Sequence, residues 1–410
     1  MERQKSIGEK HHRGQRKQRE QSFIFTKKIL LLHKEKIRFV VKFSLILWNG
    51  RLKGRKQEFE EDFHTLQKID SCFLAACQLN QIPTTPIWFM RQAGRYLPEY
   101  RKIREKYDLL TLCKTPDLAA EISLQPVRIL KVDAAILFAD LLLPFIPMGI
   151  EFQFEKDEGP VIKNRIQTAE NVRTLRTFNP EDDLNYVLET IRILKNELEE
   201  KIPIIGFAGA PFTLATYLIE GGHSRNFIKT QQFMYYEPAA WKALMGKLSQ
   251  VIISFLKAQL KAGASAVQLF DSWAGVLSPS DYQKFVLPYS SQILQEVSED
   301  GFIIHFSTGT SGMLDLISKA GGDIISFDWR IPLDKAWKII GYNKGIQGNL
   351  NPAALLADPK DLKIEVEEIL KRANNRPGHI FNLGHGVFPE TSVDQLKRVV
   401  EWVKTYRCGP

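Results

Sequence analysis

Residues 86–100 read PIWFMRQAGRYLPEY. The apolar run from Ile87 to Met90 is short and continuous, as a strand buried on both faces would be, and Pro86 stands at its first position, where no ladder donor is needed. Two arginines, Arg91 and Arg95, follow at once with Gln92, Ala93 and Gly94 between them. A guanidinium fork at a strand end suits a carboxylate or phosphate, and the small residues let backbone N–H groups come close to the same ligand. The competing reading is structural, with both arginines paired to Glu99 or other acids on the rim.

Outward from this stretch, seven further short apolar runs follow: Ala134–Phe138, Ile204–Phe207, Ala266–Phe270, Phe302–Phe306, Asp323–Phe327, Gly345–Gln347 and Ile380–Leu383. Between them lie amphipathic stretches long enough for helical crossovers, such as Pro116–Leu130, Asp182–Leu198, Ala239–Ala262, Ser280–Val297 and Asp361–Arg372. Eight strand-then-helix units predict an α/β fold, a single (β/α)8 TIM barrel. After the second strand, Glu151–Phe154 alternates polar and apolar, Asp157–Pro160 turns, and Val161–Ile166 continues. This predicts a β-hairpin insertion walling one side of the barrel mouth.

The chain has 410 residues, 44% of them hydrophobic, and a net charge of +9. That charge is local. Residues 1–70 hold 18 basic against 9 acidic residues, leaving 38 of each in the remaining 340. The body therefore carries no basic bias toward nucleic acid, and residues 1–70 read as a basic, disordered N-terminal extension ahead of one domain, 71–410. The longest apolar run, Ile37 to Trp48, is interrupted by Arg38, Lys42 and Ser44, so no membrane span is expected. Four scattered cysteines, Cys72, Cys77, Cys113 and Cys408, form no disulfide framework, and a cytoplasmic setting is expected.

In such a barrel the chemistry lies at the carboxyl ends of the strands. Those ends supply Arg91, Gln92 and Arg95; Asp140 in LFADLLLP; Tyr217 beyond FAGAP; Asp271 and Ser272 in LFDSWAG; Asp328 and Trp329; Gly348 and Asn349; and His385 in NLGHG. Asp271 and Asp328 read as helix caps or arginine partners at least as readily as catalytic acids. Asp140 differs, because among apolar neighbours its carboxylate needs a specific donor, an arginine of the first strand or the N–H groups of a ligand. His305, inside an apolar strand, reads as a hydrogen-bonded core histidine, and Tyr217 reads as packing or contact equally. No strand end offers a lysine for a Schiff base, no cluster of Cys and His has zinc-ligand spacing, and no Gly-rich dinucleotide loop opens a helix of the body. The expected site is cationic around one acid, with no metal and no cofactor.

With these motifs in place, the chain resembles the uroporphyrinogen decarboxylase family across residues 75–405. The signatures are PIWFMRQAGRYLPEY, GFAGAPFTLATYLIEGG, LFDSWAG, FDWR, QGNLNP and NLGHGV, in the family's order. The resemblance implies a cofactor-free homodimer of the haem and porphyrin pathway that decarboxylates the four acetate arms of uroporphyrinogen III to give coproporphyrinogen III. It implies Arg91, Gln92, Ala93, Gly94, Arg95, Asp140, Tyr217, Ser272 and His385 as substrate-binding residues, with Asp140 and Arg91 catalytic. Asn351 stands where the family often has Asp, which leaves any cap there to be tested. The rival reading is a zinc- and corrinoid-dependent methyltransferase of the same barrel superfamily.

Overall fold

The computed structural model describes residues 71–155, 159–222 and 224–407. Seven parallel strands form one curled sheet in the order β1 (Ala135–Ile136), β4 (Ile204–Gly209), β5 (Ala266–Asp271), β6 (Phe302–Ser307), β7 (Ile324–Ser326), β8 (Gly345–Gln347) and β9 (His379–Ile380). The insertion forms its own antiparallel pair, β2 (Phe152–Glu155) with β3 (Gly159–Ile162). Helices follow the strands and cover the outside; Pro238–Ala262 is the longest among the described residues, and its buried face packs on β4 and β5. The expected barrel and hairpin are both present.

The first expected strand is not one of the seven. Ile87 makes only a parallel bridge to Phe381, so the expectation of a regular strand at Ile87–Met90 is corrected. The segment nevertheless closes the ring. On the β9 side Phe381 N–H donates to Pro86 O at 2.8 Å and Trp88 N–H to Phe381 O at 3.4 Å. On the β1 side Asp133 N–H donates to Ile87 O at 2.8 Å, and the Asp133 carboxylate accepts from Ile87 N–H at 2.9 Å. One residue on, a side chain replaces the ladder: Gln92 Oε1 accepts from Phe89 N–H at 3.1 Å and Gln92 Nε2 donates to Ala134 O at 3.0 Å. Side chains thus satisfy backbone groups that a regular strand pair would have matched with each other.

Inside the barrel the packing is apolar, with one polar layer. Trp88 Nε1 donates to Gln347 Oε1 at 2.9 Å, and Gln347 Nε2 donates to Gln268 Oε1 and Ser326 Oγ, each at 3.0 Å. All four side chains are fully buried, so the network has to be internally paired, and it is. The expected helix Ser280–Val297 is broken into Pro279–Phe285 and Leu287–Val297. Pro288 lacks the N–H that a continuous helix would need there. Asn351 caps the short helix Pro352–Leu356, accepting from Ala353 N–H at 3.1 Å, so the cap is kept with Asn in place of Asp.

Candidate active site

The carboxyl ends of neighbouring strands are tied to one another by hydrogen bonds around the mouth. Thr213, after β4, donates to Asp271 Oδ1 at 3.0 Å and accepts from Trp273 N–H at 3.3 Å. Thr308, after β6, donates to Ser272 O at 2.7 Å. Asp328, after β7, accepts from Gly309 N–H at 2.6 Å, and Asn349, after β8, donates to Asp328 O at 3.0 Å. Asn382, after β9, accepts from Met90 N–H at 3.0 Å. This belt fixes the loops before any ligand arrives. The aromatic rings of Phe207, Phe270 and Phe306 meet edge to face, with centroids 5.5 and 5.4 Å apart, and the His385 ring leans on Phe306 at 6.4 Å.

Arg91 takes the third position of a turn closed by Gln92 N–H to Phe89 O at 2.9 Å, with φ of 60°. That left-handed backbone is unusual for an arginine. Its side chain keeps solvent-exposed surface while protein atoms crowd it, as expected of a group lining a cleft. Burial lowers its pKa from the ordinary arginine value, and the Arg95 charge acts in the same direction, against Tyr217 and Asp140. Among the described residues neither Arg91 nor Arg95 forms an ion pair with an acid, so pairing with Glu99 does not account for them.

Asp140 follows β1 and feels the Arg91 charge. One carboxylate oxygen accepts from Leu142 N–H at 2.9 Å. The other has no protein partner among the described residues and is not sealed from solvent. Burial raises its pKa above the usual carboxylate value, opposed by the Leu142 N–H and by the Arg91 charge. Tyr217, on helix Pro211–Glu220, sets its ring 6.3 Å from Trp273. Burial, and next the Asp140 charge, raise the Tyr217 pKa, so its hydroxyl stays protonated and able to donate. The hairpin wall is tied to that helix by Ile162 N–H to Gly221 O and Ile166 N–H to Leu218 O, both 2.8 Å. Burial lowers the His385 pKa to about 4, with Arg91 adding to the effect, so the imidazole is neutral near pH 7.

The two glycines around His385 explain its placement. A methyl group on Gly386 would lie 2.3 Å from Arg91 Cδ, and one on Gly384 would lie 2.7 Å from Trp329 N. Only hydrogen at these positions allows the loop to wedge between Arg91 and the β7 loop. The structure therefore gathers Arg91, Asp140, Tyr217 and His385 into one electrostatic group, with Arg95 beside Arg91 and with Ala93, Gly94 and Ser272 on the partly exposed rim. The Gln92 side chain does not join them. It is fully buried and hydrogen-bonded into the barrel wall. Asp271 and Asp328 take the structural option, partnered by Thr213 and by Arg330 respectively. His305 is fully buried, but neither ring nitrogen makes a hydrogen bond of normal geometry, which corrects the expectation of a hydrogen-bonded core histidine. One charged residue was missed: Arg330, stacked 4.7 Å from the Trp329 ring and paired with Asp328. The signal was present in FDWR as an acid and an arginine two residues apart after a strand.

A sequence model of uroporphyrinogen decarboxylase matches residues 69–406. The chain belongs to the uroporphyrinogen decarboxylase family. It is 53% identical over 336 residues to the uroporphyrinogen decarboxylase of Carboxydothermus hydrogenoformans, covering 82% of this chain and 96% of that protein. With the uroporphyrinogen decarboxylase of Solibacter usitatus it shares 51% over 340 residues, 83% of this chain and 98% of the other. Among solved structures, a methyltransferase from Methanosarcina mazei superposes with a TM-score of 0.66 over 81% of this chain and 97% of that one, at 18% identity. That likeness concerns the barrel fold alone. For a uroporphyrinogen decarboxylase family member, the unpaired arginines and the half-anchored Asp140 are the features with chemical meaning. Among the described residues no group of three or more His, Cys, Asp or Glu side chains is placed to hold a metal ion.

Proposed function

We propose that the chain decarboxylates the four acetate arms of uroporphyrinogen III to coproporphyrinogen III, using its own side chains and no cofactor. The observation that carries this reading is the combination of two arginines that form no ion pair among the described residues with a carboxylate, Asp140, one of whose oxygens has no partner there and is not sealed from solvent. A substrate with eight carboxylates needs the arginines, and four pyrrole N–H groups can converge on a single carboxylate.

Each step converts an acetate arm and one proton to a methyl arm and carbon dioxide. The pyrrole takes up a proton and becomes cationic. The bond to the carboxylate then breaks, carbon dioxide leaves, and the bonding electrons flow into the ring, generating an exocyclic methylene. Protonation of that methylene and loss of the ring proton restore the pyrrole. Asp140 stabilises the ring cation in a site shielded from bulk water, where a fixed charge acts most strongly. Arg91 holds the reacting acetate; Arg95, Ser272 and the backbone at Ala93 and Gly94 hold other arms. Tyr217 donates through its hydroxyl, His385 contributes a neutral imidazole, and Gln92 positions Arg91 by fixing the turn that carries it.

Residues 71–410 carry this activity, and the basic extension 1–70 is dispensable for it. Relatives are matched over 95–98% of their own length by about 340 residues of this chain, which supports that division. The family reading brings a homodimer, testable by sedimentation, and a cytoplasmic setting, with which the free thiols of Cys72, Cys77 and Cys113 agree. Anaerobic incubation of the purified protein with uroporphyrinogen III tests the proposal. Products with seven down to four carboxylates are expected, and recovery of the octacarboxylate alone would overturn it.

A further inference from the structure

The β7 loop holds a third arginine at the mouth. Asp328, with only 2% of its side chain exposed, accepts from Gly309 N–H at 2.6 Å and from Arg330 N–H at 3.0 Å, and it also pairs with the Arg330 guanidinium. Asn349 Nδ2 donates to the carbonyls of Asp328 and Ile331 at 3.0 and 2.8 Å. The loop is thus pinned at both ends. Arg330 itself is 54% exposed, lies along the Trp329 ring at 4.7 Å, and donates from its guanidinium to no protein acceptor other than Asp328 among the described residues.

A purely structural role would be to neutralise Asp328. That buried carboxylate already has two backbone donors, however, and an ion pair to an arginine more than half exposed adds little stability. What the arrangement achieves is orientation. One guanidinium N–H is spent on Asp328 and one face on Trp329, which leaves the remaining edge of the fork held in place and free. Trp329 packs against Gly384 and Arg91 against Gly386, so His385 is flanked by Arg330 on one side and Arg91 on the other.

We propose that Arg330 is a substrate-binding residue that takes one carboxylate arm of the tetrapyrrole on the wall across His385 from Arg91 and Arg95. The inference rests on the decarboxylase reading and extends it. With arginines on two sides of the mouth, a macrocycle carrying carboxylates around its whole rim is held at separated points and oriented over Asp140.

Steady-state decarboxylation of uroporphyrinogen by wild type, Arg330→Gln and Arg330→Lys tests it. Arg330→Gln is expected to raise KM about tenfold with kcat within about threefold, the split that marks binding shared by ground and transition states. Arg330→Lys keeps the charge but loses the fork and should fall between. The KM of wild type should rise with salt more steeply than that of Arg330→Gln. Wild type without activity would overturn the decarboxylase reading and this inference with it. Active wild type with KM unchanged in Arg330→Gln, or a loss confined to kcat, would overturn this inference alone. If Arg330→Gln fails to fold, Arg330→Lys decides: a raised KM supports the role and an unchanged KM removes it.

Discussion

At the scale of single residues, Asp140 and Arg91 are shifted in opposite senses by the same crowding, because burial disfavours the charged form of each. Asp140→Ala should keep its fold, read by circular dichroism, and lose on the order of 100-fold or more in kcat, the scale on which a preorganised electrostatic group acts. Full activity in that variant would remove Asp140 from the mechanism. Because the anion is the working form and its pKa is raised, the acid limb of kcat/KM should lie above the ordinary aspartate value, with no limb from His385 near 6.5, since its pKa is about 4. Gly386→Ala is a sharper probe of the arginine. Its methyl would meet Arg91 Cδ at 2.3 Å, so Arg91 must move, and a loss of about tenfold or more in kcat/KM is expected with little change in thermal midpoint. The residue types of the site were legible because an Arg pair at a strand end and an acid among apolar neighbours both demand a partner. Arg330 is visible in FDWR, but an arginine beside an aspartate reads as already answered; only its exposed, stacked position leaves a free edge.

At the scale of elements, the barrel closes through a segment that is not a regular strand. Gln92→Leu would leave Phe89 N–H and Ala134 O without partners in a buried wall. Losing both should cost about 2–4 kcal/mol in urea unfolding, with the denaturant slope unchanged. A cost below about 0.5 kcal/mol would show that the ring does not depend on this link. Seven of the eight apolar runs mark strands at or near their place, because a strand buried on both faces shows as a bare hydrophobic stretch. The first, Ile87–Met90, departs from a regular strand because Asp133 and Gln92 stand in for backbone partners at the seam. Hydrophobic pattern reports burial and is silent on whether an amide is met by backbone or by side chain.

At the scale of the whole molecule, buried ionisable groups set opposite pH slopes. His305 and His379 are fully buried, and burial lowers each pKa to about 4. The unfolded chain therefore binds their protons more readily, and stability rises with pH between about 4 and 6.5, by up to about 1.4 kcal/mol per pH unit for each. Asp271 works the other way. Burial raises its pKa to about 7, so the folded state keeps a proton that the unfolded state loses, and stability falls as pH rises from about 4 to 7. Asp271→Asn removes the opposing slope while leaving an acceptor for Thr213. Urea midpoints between about pH 4.5 and 7.5 should climb more steeply in that variant than in wild type, and equal slopes would show that Asp271 does not titrate in this window. Deleting residues 1–68 should leave decarboxylation within about twofold, since the family match begins at residue 69; a collapse in rate or soluble yield would give the extension a role.

The strand-then-helix order, the hairpin, the arginine pair and the solitary acid were determined by sequence alone, because each depends on local period or on the cost of an unanswered charge. Tertiary structure decided how the ring is sealed, that Gln92 serves the wall while Arg91 and Arg95 form no ion pair among the described residues, and that Arg330 lies between Asp328 and the Trp329 ring. Those outcomes turn on which groups meet across 40 to 300 residues of chain, and hydrogen-bond partners at such separations leave no periodic trace in the sequence. PIWFMRQAGRYLPEY is accordingly both things at once: the last stave of the barrel, and the segment that brings Arg91 within electrostatic reach of Asp140.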